Sequence, residues 1–189
     1  MNSNFRLPET ATWIRNILIT VASCALLISC AGLDGVRMAP HFEQPPINSF
    51  HIDDSIISIT VKGEKEEIFS GPAYAKKEQI QQALRIGLRN ANIFNSVDEG
   101  KGTLNLTAIV RSQSQSASLM LEYRAKLTVS YRITDTTDKI VWFKTFESEF
   151  SSHAFSGATR TVEAREGSVR ENLKSFINGL KTSWETQIK

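Results

Sequence analysis

A long alternation of apolar and polar residues between Leu121 and Ile133 constrains the fold of this chain more than any other feature. The side chains of a β-strand point alternately to the two faces of a sheet, so this stretch predicts a strand that is buried on one face only. The apolar face holds Leu121, Tyr123, Ala125, Leu127, Val129, Tyr131 and Ile133. The polar face holds Glu122, Arg124, Lys126, Thr128, Ser130 and Arg132.

Weaker patterns along the chain complete a small α+β fold. Shorter alternations predict strands at residues 57–61, 104–110 and 140–150. Apolar residues at helical spacing predict one helix over residues 76–91 and another over residues 161–184. The order strand, helix, three strands, helix predicts a two-layer domain. Its four-stranded, mainly antiparallel sheet should carry both helices on one face.

Two local features refine this prediction. The serine- and glutamine-rich stretch 112–118 is interpreted as a polar connection between two strands. It is either a solvated loop or a mobile hairpin tip that contacts a partner. Gly167 and Gly179 lie inside the second helix, where glycine is unfavourable, and we expect them to allow close packing against the sheet.

The first thirty residues have the organisation of a secretory signal. Arg6 and Arg15 precede the apolar run 17–28, which is too short to be a comfortable membrane span. The segment Leu27-Ile28-Ser29-Cys30 resembles the lipobox of bacterial lipoproteins, in which an aliphatic residue, a tolerant position and a small residue precede cysteine. The resemblance implies that Cys30 becomes the acylated N-terminus. Ala31, where the inner-membrane class has aspartate, resembles the outer-membrane class.

Two other interpretations of this segment stay open. Val21-Ala22-Ser23-Cys24 is a second possible lipobox, although cleavage there would leave an apolar core of only about six residues. The segment could also be an uncleaved signal anchor, but extending the apolar run back to Ile14 would bury Arg15 in the membrane.

The lipobox interpretation divides the chain into three parts. Residues 1–29 are the signal peptide, residues 30–47 the lipidated N-terminus with a flexible tether, and residues 48–189 a single α+β periplasmic domain. Residues 30–47 are predicted to be a tether because they show no sustained helix or strand periodicity and contain several glycine and proline residues. These are Gly32, Gly35, Pro40, Pro45 and Pro46.

Composition excludes several function classes. The chain carries a net charge of +2, and the segment before Cys30 contributes +1 of it through Arg6, Arg15 and Glu9. This near-neutral balance argues against nucleic-acid binding. Both cysteines lie in the signal region, so the mature domain has no disulfide and no thiol nucleophile. We expect no metal and no cofactor beyond the covalent lipid, because His41, His51 and His153 form no closely spaced ligand pair.

The basic residues Arg124, Lys126 and Arg132 are the candidate contact residues of the mature domain. They share one strand face and form a ladder with about 7 Å per two-residue step. Such a ladder suits anionic lipid phosphates or an acidic partner. The alternative is an ordinary exposed sheet face, partly neutralised by Glu122 and by Glu147 or Glu149 on the next strand.

The element order is similar to that of small outer-membrane lipoproteins whose four-stranded sheet is backed by two helices. Examples are the lipoprotein component of lipopolysaccharide transport and the auxiliary lipoproteins of envelope transporters. The lipobox and the lack of a serine-hydrolase motif lead us to expect a bacterial, outer-membrane lipoprotein that faces the periplasm and binds an envelope partner without catalysis. The alternatives are direct binding of a lipid or lipopolysaccharide, and a small periplasmic hydrolase. Nothing in the sequence decides the oligomeric state.

Overall fold

The computed structural model describes residues 34–42, 50–71, 74–98, 102–118 and 122–187. The elements in chain order are α1 (Asp34–Met38), β1 (Ile56–Gly63), a 3-10 helix (Glu66–Phe69), α2 (Lys77–Ala91), β2 (Leu104–Ala117), β3 (Tyr123–Thr134), β4 (Ile140–Ser152) and α3 (Gly157–Gln187). None of the helices within these ranges is long and apolar enough to cross a membrane.

The four strands form one mixed sheet in the order β1-β2-β3-β4. β1 runs parallel to β2, and the two later pairs are antiparallel. A parallel pair needs a crossover connection, which α2 provides. α2 contacts β1, α3 contacts β3 and β4, and the two helices contact each other. The predicted α+β class and its order of strand, helix, three strands and helix are therefore confirmed.

The core lies between the sheet and the two helices, and β3 supplies its centre. Leu127, Val129, Tyr131 and Ile133 are all buried, as the alternation predicts. The Tyr131 ring stacks on Phe176 of α3 with centroids 4.0 Å apart and an interplanar angle of 8°. Trp142 of β4 packs against the same phenylalanine at 5.7 Å.

A buried polar residue fixes α3 on the sheet. Asn172 accepts a hydrogen bond from the Tyr131 hydroxyl at 2.8 Å. Its amide nitrogen donates to the carbonyls of Leu127 at 3.2 Å and Phe146 at 3.0 Å, and so reaches two neighbouring strands. Burial raises the pKa of Tyr131, so its hydroxyl stays protonated and remains a donor. These bonds satisfy a fully buried amide that would otherwise be costly.

The polar stretch 112–118 is a strand for most of its length, and its prediction as a connection was wrong. Residues 112–117 belong to β2 and pair with β3, with Ser114 opposite Lys126. A register shift between Val110 and Ser112 turns Gln113 toward the helices. There Gln113 accepts from the Ala75 amide at 3.0 Å and donates to the Ala75 carbonyl at 3.1 Å. These bonds and the cross-strand ladder outweigh the weak strand preference of serine and glutamine.

Part of the predicted tether is packed against the domain. The compact unit that contains the sheet begins at Gly35, and we name residues 35–42 the strap. Met38 is fully buried in the core, and Arg170 of α3 donates to the Arg37 carbonyl at 3.0 Å. Apolar contact by the strap therefore outweighs the flexibility expected of its glycine and proline. Residues 30–33 and 43–47 of the predicted tether lie outside the described residues.

The two glycines inside α3 allow this helix to approach β4 closely, as the sequence predicts. A Cβ atom at Gly167 would overlap the ring of Phe150, and one at Gly179 would overlap the ring of Phe146. Both rings belong to β4 and face the helix. Glycine at these positions lowers the stability of the helix itself, but it allows closer contact with the sheet.

Replacing Gly179 by alanine is expected to destabilise the fold by about 1–3 kcal/mol, even though alanine favours helix by about 1 kcal/mol. The added methyl group would force the Phe146 ring out of its packed position. Urea unfolding of the purified protein measures the change. Gly157→Ala is the matched control, because the nearest heavy atom to its added Cβ lies 3.7 Å away. A gain of stability in Gly179→Ala would contradict the close packing.

Candidate functional site

The predicted lipidation site, Cys30, lies outside the described residues. The same is true of the alternative Cys24 and of the whole signal segment 1–29. Acylation at either cysteine therefore stays a prediction.

The candidate contact residues lie on the face of the sheet that is turned away from α2 and α3. We name this surface the outer face. Strand alternation places hydroxyl and charged side chains there, as it places apolar ones in the core. It includes Thr107, Ile109, Arg111, Ser112, Ser114 and Ser116 of β2, Arg124, Lys126, Thr128, Ser130 and Arg132 of β3, and Phe143, Thr145, Glu147, Glu149 and Ser151 of β4.

The cations at one end of the ladder are paired with carboxylates. Arg124 donates two hydrogen bonds to Glu122, at 2.9 and 3.1 Å. Lys126 lies 2.9 Å from Glu149, which also lies 3.5 Å from Arg124. Glu147, the other predicted partner, lies opposite Thr128 in the register. The predicted alternative of a partly neutralised face therefore applies at this end of the ladder.

The pairing shifts the pKa values of these groups in the expected directions. The hydrogen bond from Arg124 is the main cause that lowers the pKa of Glu122. The hydrogen bond to Glu149 is the main cause that raises the pKa of Lys126. Glu122 and Lys126 thus stay charged at neutral pH, and the cluster offers alternating charges to a partner.

Arg132 lies at the other end of the ladder, eight residues from Arg124. At about 3.3 Å per residue the two arginines are roughly 26 Å apart along β3, so the three basic residues do not form one site. Arg132 faces Phe143 across the β3–β4 register. Its Nε atom is buried, and within the described part of the chain it has no hydrogen-bond partner. Phe143 keeps 44% of its surface exposed.

The centre of the outer face contains a residue that the sequence analysis did not single out. Arg111 sits at the irregularity in β2 and donates to Ser130 at 3.0 Å and to Glu64 at 2.6 Å. Ser130 in turn lies 2.7 Å from the Thr145 hydroxyl. Strict alternation offers no sign of this bulge. Only knowledge of the bulge would place Arg111 on this face. The sequence around Arg111 contains no glycine that would indicate a bulge.

Residues that the structure describes line two clefts elsewhere on the domain. One of about 280 Å³ lies between α3 and β4 and is lined by Phe150, Glu163, Glu166 and Arg170. The other, of about 320 Å³, is lined by Lys62, Gly63, Glu66, Phe69 and Lys77. Most of the residues that line each cleft are charged, and the two volumes lie close to the lower end of the range for small-molecule sites, about 300 Å³. Neither is lined by a residue of the basic ladder.

The histidines occupy separate positions. His51 forms a 2.7 Å hydrogen bond with Asn95, which is the main cause that raises its pKa. His153 lies 4.0 Å from Glu122, and His41 is exposed in the strap. Within the described ranges no group of three histidine, cysteine, aspartate or glutamate residues could hold a metal ion.

The sequence matches no known protein-family model, and no curated protein is a significant relative. Solved structures do share the fold. A Xanthomonas campestris protein of family DUF330 is similar at a TM-score of 0.61 and 10% identity, covering 79% of this chain and 97% of its own. An uncharacterized protein is similar at a TM-score of 0.52 and 9% identity, covering 75% and 99%.

Lipoproteins from bacteria occur among the weaker structural neighbours. A minor lipoprotein from Acinetobacter baumannii has a TM-score of 0.44 and 8% identity, and the match covers 67% of this chain and 94% of that one. This likeness is too distant to support an inference. At such identities the stronger matches establish the fold alone.

Proposed function

We propose that this chain is a lipid-anchored bacterial lipoprotein that acts as a non-catalytic binding component of a cell-envelope assembly or transport system. The observation that carries the proposal is the division of the sheet. Its inner face is filled by the chain's own helices, whereas its outer face is left by the described residues to solvent or to a partner.

The anchor in this proposal is Cys30. The lipobox-like segment before it and the absence of cysteine after it support acylation at this residue. Each buried methylene of an acyl chain adds about 0.8 kcal/mol of membrane affinity, so several chains hold a protein firmly. With Ala31 after the cysteine, we place the protein at the outer membrane, facing the periplasm.

The chemistry of the outer face favours a protein partner. Its paired charges at Glu122, Arg124, Lys126 and Glu149 resemble a polar interface rim more than a cationic lipid site. Arg132 lies beside the exposed ring of Phe143. Arginine and aromatic side chains are enriched at the centres of protein interfaces. A partner with a carboxylate next to an apolar side chain would complement this end of the face.

Direct binding of a lipid or lipopolysaccharide is the alternative. Only the Arg132 end of the ladder supports it, because the cations at the other end are already engaged with carboxylates. The cleft beside α3 is lined by Glu163, Glu166 and Arg170, so an acyl chain bound there would lie against charged groups.

A hydrolase is supported by one observation, namely that Glu163 and Glu166 line the same cleft. These carboxylates lie three residues apart on one helix and therefore project from the same side. Carboxylate pairs that hydrolyse glycosides flank the scissile bond. The arrangement therefore favours binding over catalysis.

Incorporation of labelled palmitate in a bacterial host tests the anchor. We expect label in the wild-type protein and in Cys24→Ser, and none in Cys30→Ser, because only Cys30 follows a complete signal. Retention of label in Cys30→Ser with its loss in Cys24→Ser would move the anchor to the earlier lipobox. No label in the wild-type protein would contradict the lipoprotein proposal.

Arg132→Glu is expected to reduce the amount of an envelope protein crosslinked to this chain in intact bacteria by about tenfold or more. Loss of a buried interface charge costs upwards of about 2 kcal/mol. A factor of ten corresponds to about 1.4 kcal/mol, so a loss of at least tenfold is expected. Mass spectrometry after formaldehyde crosslinking measures it. Lys77→Glu, an equal charge change at an exposed position of α2, is the matched control. Equal loss in both variants, or loss of bound lipid without loss of protein, would contradict a protein partner at this face.

A further inference from the structure

We infer that the layer formed by α2, α3 and the strap faces the membrane, and that the outer face points away from it. We name this surface the helical layer. The inference rests on the proposed function, because it takes Cys30 to be acylated. It adds two points to the proposed function. The first is the orientation of the domain relative to the membrane, and the second is a lipid surface as the partner of the helical layer.

The docked strap fixes where the chain leaves the domain. Met38 is fully buried, and Gly87 of α2 is a glycine whose added Cβ would contact Pro40. A side chain at Gly35 would overlap Gln82, which also belongs to α2. Arg170 of α3 holds the Arg37 carbonyl at 3.0 Å. The chain therefore departs from the helical layer and not from the sheet.

The distance from this point to the proposed anchor is short. Five Cα–Cα steps separate Cys30 from Gly35, and an extended chain covers at most about 3.5 Å per step, or roughly 17 Å in all. An α-helix with its side chains is already about 10–12 Å across. A linker of this length cannot pass around the helices and the sheet, so it cannot bring the outer face to the bilayer.

The surface around the strap suits anionic headgroups. Arg37 is exposed on the strap, and Lys174 and Lys181 of α3 are partly exposed beside it. Such cations are attracted to the phosphate groups of an anionic membrane surface. Glu171 offsets part of this through its 2.9 Å ion pair with Lys174. Val36, which is 46% exposed, adds an apolar side chain at the same surface.

Quenching by labelled lipid tests the orientation. The mature sequence contains no cysteine other than Cys30, so one introduced cysteine carries a fluorophore at a single position. Asn178→Cys marks an exposed position of α3, and Ser114→Cys marks an exposed position of the outer face. The full lipidated protein is placed in vesicles of phosphatidylethanolamine and phosphatidylglycerol that contain a headgroup nitroxide. We expect several-fold stronger quenching at position 178 than at position 114.

An insertion of about ten glycine and serine residues between Leu33 and Asp34 is the control. A flexible linker of this length removes the constraint set by the short anchor, so the difference between the two positions should decrease to what headgroup attraction by the helical layer alone maintains. Equal quenching without the insertion, or stronger quenching at position 114, would overturn the orientation alone. Failure of the protein to float with the vesicles would overturn the anchor, and this inference with it.

Discussion

The packing of β3 on α3 is the interaction on which the rest of the structure depends. Tyr131 stacks on Phe176 and donates to Asn172, and the Asn172 amide reaches the carbonyls of two strands. Because the bonds of a buried amide are directional, they set the position of α3 along the sheet as well as its distance. This arrangement fills the inner face and leaves the polar residues of β3 as the surface that other molecules can meet.

The strap packs on the same core, and this packing limits the length of free chain before the domain. Met38 inserts into the core, and Arg170 fixes the neighbouring backbone. Residues 35–42 of a segment expected to act as a flexible spacer are thus part of the domain. If Cys30 is acylated, little free chain remains between lipid and domain, and the two surfaces acquire different roles. The helical layer would lie near the bilayer, while the outer face would be presented to the periplasm.

The sequence predicted the parts of the fold that depend on simple periodicity. The alternation around Tyr131 and the apolar stripe through Leu173 and Phe176 give the central strand and the long helix, because burial of one face imposes these patterns. It could not predict the outer half of β2. There the strand is held by backbone pairing and by the inward turn of Gln113 after a bulge, and neither leaves a mark in hydropathy.

The candidate site was predictable to a similar degree. Because alternate residues of a strand share one face, Arg124, Lys126 and Arg132 lie on the same side of β3. The pairing register then places Glu149 of β4 opposite Lys126. The contrast between the paired end and Arg132 depends on which residue of β4 lies opposite each cation, and a single sequence does not specify that register. The packing of the strap was not predicted, because its glycine and proline residues indicate a flexible segment. Its contacts with α2 and α3 join residues that are far apart in the sequence.

We propose that the outer face is the surface that binds an envelope partner. Photo-crosslinking in living bacteria tests it most directly, with a photoreactive amino acid placed in turn at Ser114, at Thr145 and, on the helical layer, at Asn178. We expect protein adducts from the two outer-face positions and not from position 178. Protein adducts from position 178 alone would contradict it.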